Sequence, residues 1–90
     1  MDADRSYQQI LGTYSRMKNM SKGTGGQQLM DVAEKMFSNQ SATLVAVLAI
    51  NNHQDEAQRV AGAASKEINS PEFAALLAEA KTGTVPPRWP

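Results

Sequence analysis

Ala42-Thr43-Leu44-Val45-Ala46-Val47-Leu48-Ala49-Ile50 is the stretch on which the fold turns. Thr43 is its only polar side chain. Taken alone, the run suits either a buried strand, because it contains β-branched residues, or a buried helix. Two features favour the helix. Alanine recurs at 42, 46 and 49, and no second convincing strand exists to pair with it. The phase also continues downstream: Val47, Ile50, Ala57, Ala61, Ala64 and Ile68 share one side if the helix runs on through Asn51-Asn52-His53. A helix from Ala42 to Ile68 is unusually long. The competing expectation is a break between Asn51 and Gln54, with Asp55 capping or opening a separate helix.

Working outward, Leu29, Val32, Ala33, Met36 and Phe37 give a helix over about Gln27 to Phe37. Ser38-Asn39-Gln40-Ser41 then interrupts the apolar pattern, and either Asn39 or Ser41 suits a cap for the helix that follows. Before it, Ser21 to Gly26 reads SKGTGG, a glycine-rich joint. Its lysine precedes the glycines and no strand leads into it, so it is not a phosphate loop. The first helix spans about Asp4 to Met20, with Tyr7, Ile10, Leu11, Tyr14, Met17 and Met20 at three- and four-residue steps. Downstream, Ser70-Pro71-Glu72 marks the clearest boundary: Ser70 caps, Pro71 takes the first helical position, and Glu72 favours the dipole. Phe73, Leu76, Leu77 and Ala80 face inward from that last helix, and Gly83 stops it.

These readings predict an all-α protein, a compact bundle of about four helices with the third and fourth segments either separate or merged. Residues 1–83 form one small domain and residues 84–90 an extended Pro-rich tail, because proline fixes φ and removes donors. Trp89, the only tryptophan, either folds back on the domain or meets a partner.

Composition narrows the functional classes. Ninety residues with nine Lys+Arg and nine Asp+Glu give a formal net charge of zero. Nucleic-acid binding normally uses a basic excess, and Arg16, Lys18 and Lys22 make only a weak patch. Cysteine is absent, which removes disulfides and thiolate zinc sites. The apolar run is far shorter than the roughly 20 residues of a membrane helix. The polar opening MDADRSYQQ carries no apolar signal region, so the simplest address is cytoplasmic.

Chemical groups are sparse. His53 stands near Asp55 and Glu56, but His-Gln-Asp-Glu lacks metal-ligand spacing. Glu67, Glu72 and Glu79 suit exposed helix faces better than a carboxylate pair. No cofactor, metal or catalytic residue is expected. The expectation is therefore a non-enzymatic protein–protein interaction module, such as an adaptor, a secretion chaperone or a subunit of an assembly. Its candidate interface is Tyr7, Ile10, Tyr14 and Met17 on the first helix, with Met30 and Trp89. A homodimer is one form this takes. The alternative is a small DNA-binding regulator whose helix-turn-helix has its turn at Ser38 to Ser41, although Ala42 to Ile50 offers the major groove no polar or basic side chains.

Overall fold

The computed structural model describes residues 3–22 and 26–83. They form four helices: α1 (Ala3–Met20), α2 (Gly26–Ile50), α3 (Gln54–Glu67) and α4 (Pro71–Ala80). No strand occurs among the described residues, so Ala42–Ile50 is helical. The tail, including Trp89, lies outside the described residues.

α2 is where the architecture departs from the sequence reading. The expected interruption at Ser38–Ser41 does not occur, and the second and third segments are one helix of 25 residues. Neither Asn39 nor Ser41 caps anything. The reason is packing. Ala33, Phe37, Ser41, Leu44 and Leu48 follow one another at steps of three or four and are all buried, so the core stripe passes straight through the polar run. Ser, Asn and Gln in a helix interior each cost only some tenths of a kcal/mol. Burying Phe37 below and Leu44, Val45 and Leu48 above outweighs that, at roughly 1.5–3 kcal/mol for each large side chain. Such a helix is about 37 Å long at 1.5 Å per residue, which accounts for most of the 43 Å long axis of the molecule.

The merger of residues 42–68 is not observed, and the break at Asn51–His53 is. His53 N–H donates to Leu48 C=O at 2.8 Å and Asn52 N–H to Ala49 C=O at 3.2 Å. Asn52 sits at φ +64. This is a Schellman motif with asparagine in the left-handed position. Asp55 and Glu56 then lie in the first turn of α3, where carboxylates favour the helix dipole.

The remaining boundaries follow their signals. Ser70 Oγ accepts from Phe73 N–H at 3.4 Å, with Pro71 opening α4. Gly83, at φ +93, donates its N–H to Ala80 C=O at 2.9 Å beyond the last turn. At Gly26 a Cβ would run into the Ser21 carbonyl, so the joint before α2 requires glycine there.

α2 packs against all three other helices, while α1 and α4 do not meet. The four described aromatic rings form one cluster around Phe37. Tyr14 lies 4.7 Å from it between centroids, Phe73 6.1 Å and Tyr7 6.2 Å. α3 adds Ala57, Val60, Ala61 and Ala64, a small-residue face that lets backbones approach closely. Asp4 and Arg59 tie α1 to α3 at 3.3 Å, but both are well exposed, so this pair contributes little.

Candidate functional site

The feature best suited to binding is an open groove of about 540 Å³ between α1 and α2. It follows from how the two helices meet. The Tyr7 and Tyr14 rings reach past the groove to pack on Phe37. Ile10, one turn from each, is left half-buried. On α2 the groove is lined by Leu44, which is buried, and by Val47, which is half-buried. Ser6, Gln9, Thr13, Asn39, Gln40 and Thr43 add polar groups along its sides. None of these lining residues is charged. Thr13 Oγ1 donates to Gln9 C=O at 3.1 Å and Thr43 Oγ1 to Asn39 C=O at 2.8 Å. Each hydroxyl keeps lone pairs with which to accept a bond from a ligand.

The residues expected at an interface separate into three groups. Tyr7 and Tyr14 are only 7 % and 4 % exposed and belong to the intramolecular core. Burial pushes both phenols above their ordinary pKa, and the Glu67 carboxylate adds to this at Tyr7, as Glu34 and Glu67 do at Tyr14. Ile10, Met17 and Met30 are half-buried and pack against the core edge, and of these Ile10 lines the groove. Trp89 lies outside the described residues. The groove's α2 residues, Gln40, Thr43 and Val47, were missed as a binding surface because the apolar run reads as buried all round. The available signal was Thr43, which marks the side of that run left open. Ile50 also departs from that reading, being 59 % exposed, and Met20 and Val32, expected on the apolar faces of the first two segments, are 67 % and 41 % exposed.

Two other expectations meet the geometry here. With α2 continuous, the helix-turn-helix placed at Ser38–Ser41 has no turn. His53, Gln54, Asp55 and Glu56 line a shallow depression at the start of α3, and among the described residues no three of His, Asp and Glu converge on a common point. No described helix is long and apolar enough to cross a membrane. Comparison of the chain with protein-family models, curated proteins and solved structures finds no match.

Proposed function

We propose that this chain is a non-enzymatic protein–protein interaction module, an adaptor, secretion chaperone or assembly subunit acting in the cytoplasm, that holds a segment of a protein partner in the α1/α2 groove. The observation that supports this reading is the groove's chemistry. It has an apolar floor of Ile10, Leu44 and Val47, uncharged polar edges and no charged lining residue. Apolar anchors set among a few hydrogen-bonding groups are what a bound peptide or helix uses, the anchors for affinity and the polar groups for register. A second copy of the chain is one such partner, since a formal net charge of zero offers little repulsion to self-association.

The test uses Thr43→Arg and Gln9→Arg, two changes at the groove's edge that spare the aromatic cluster. Light scattering over a concentration series and affinity capture from cells are compared with wild type, with circular dichroism as a check on folding. The expected outcome is that assembly or capture is lost while helix content is kept. A monomer at every concentration, with a captured set unchanged by either substitution, defeats the proposal.

A further inference from the structure

α2 carries a second stripe besides the one it turns to the core. Leu29, Val32, Met36, Asn39, Gln40, Thr43, Val47 and Ile50 all fall within an arc of about 100° at 3.6 residues per turn. That arc is centred about a third of a turn round the helix from the line of Phe37, Leu44 and Leu48. None of its residues is fully buried: Val32, Gln40 and Ile50 are exposed and the others half-buried. The charged residues of α2, which are Asp31, Glu34 and Lys35, all lie outside it. From Leu29 to Ile50 the stripe is about 32 Å long at 1.5 Å per residue. Asn39, Gln40, Thr43 and Val47 belong both to it and to the groove.

The order of side chains along this stripe selects an occupant. Turned end for end about a point between Asn39 and Gln40, the stripe falls on itself. Leu29 comes opposite Ile50 of a second copy, Val32 opposite Val47, Met36 opposite Thr43, and Asn39 opposite Gln40. A two-fold interface has this property, because a residue that touches another is touched by it in return. Apolar pairs close both ends, and the long Met36 meets the shorter Thr43. The middle is a polar layer of amides, which both donate and accept. Such a layer fixes register, because a shifted pairing sets an amide against Val32, Val47 or Met36. A parallel pairing sets Met36 on Met36 and Thr43 on Thr43, overfilling one layer and leaving the other loose. Leu29 and Ile50 are three heptads apart, the 3.5-residue spacing that keeps a seam between two long helices aligned.

We propose that the α1/α2 groove is filled by α2 of a second copy, running antiparallel about a two-fold axis between Asn39 and Gln40. This rests on the groove being a protein-binding surface and names its occupant. Ile10, on the α1 wall, is covered by the incoming helix.

Sedimentation equilibrium of the wild-type chain should give twice the chain mass. Val32→Glu and Ile50→Glu alter side chains that are exposed in the single chain. Each should weaken the dimer at least tenfold with helix content retained by circular dichroism. The chain has no cysteine, so introduced cysteines report orientation. Val32→Cys and Val47→Cys, mixed in a glutathione redox buffer, should form a covalent dimer, because facing Cα atoms come within disulfide reach. Each alone should stay uncrosslinked, since its two thiols sit 15 residues apart along the pair, about 22 Å. A wild-type monomer up to millimolar concentration overturns the proposal. If that monomer still captures a cellular protein, and Gln9→Arg abolishes the capture, the groove remains a binding surface with a different occupant. A dimer that both glutamate variants leave intact overturns the proposal as well. So does a Val32→Cys variant that cross-links to itself, or a mixture that does not cross-link.

Discussion

Two polar runs of similar composition meet opposite fates in this molecule. Ser38-Asn39-Gln40-Ser41 lies inside α2, and Asn51-Asn52-His53-Gln54 separates α2 from α3. Local propensity does not distinguish them, because Ser, Asn and His all sit in the weak middle of the helix scale. What differs is the company they keep. The first run is flanked by Phe37 and by Leu44 and Val45, all buried, and its own Ser41 is fully buried in phase with them. In the second, Ile50 through Asp55 are all exposed, so nothing is lost when the helix stops. A polar run ends a helix where no core spans it, and a core that continues in phase carries the helix through.

Proline gives the largest contrast between the two. Gln40 is exposed, so Gln40→Pro acts through the backbone alone, and it should destabilise the fold by about 3 kcal/mol or more. Gln54 is the first residue of α3, where proline is accepted, and Gln54→Pro should change stability by less than about 1 kcal/mol. Urea denaturation of the two variants measures both. Equal effects would mean that α2 is hinged at Gln40 in solution.

A smaller effect is expected at Asn52. Its φ of +64 disfavours side chains branched at Cβ, so Asn52→Val should lose about 1–2 kcal/mol, whereas Asn52→Gly should be neutral or slightly stabilising. Thermal melts of the pair test whether the left-handed residue is what ends α2.

Ser41 is the weak point of the first run. Its hydroxyl is fully buried and has no hydrogen-bond partner among the described residues. An unsatisfied buried group is costly, so Ser41→Ala should raise stability by about 1 kcal/mol and leave the helix unbroken. A loss of stability of that size would show that the hydroxyl has a partner in solution.

The last prediction has no effect near neutral pH. Burial, helped by Glu67 and Glu34, raises the pKa of Tyr7 and Tyr14 in the folded state. Below an unfolded value of about 10, both phenols are neutral in either state and this contribution to stability is complete. It is lost as pH rises through the folded values, because the unfolded chain ionises first. Stability measured against pH should therefore fall above about 10, with the two tyrosines titrating later in the folded protein than in urea. Since both rings pack on Phe37, the α1/α2 contact beside the first polar run should loosen in that range. A stability curve flat through pH 11 would contradict the burial of both phenols.

The sequence by itself determined the helical class, the extent of α1, the start of α4 at Ser70-Pro71 and its stop at Gly83, because those depend on local periodicity and on capping chemistry. It also singled out both polar runs as places where a helix ends. Only the tertiary structure decided between them, because Ser41 is indistinguishable from a cap until Phe37 and Leu44 are seen buried on either side of it. The same limit applies to the groove. Ile10 was legible as part of an apolar stripe, but a stripe does not say which of its members the neighbouring helix covers. Packing put Tyr7 and Tyr14 inside against Phe37 and left Ile10 half-open beside Thr43 and Val47. Burial is a property of two surfaces at once, and a single segment of sequence contains only one of them.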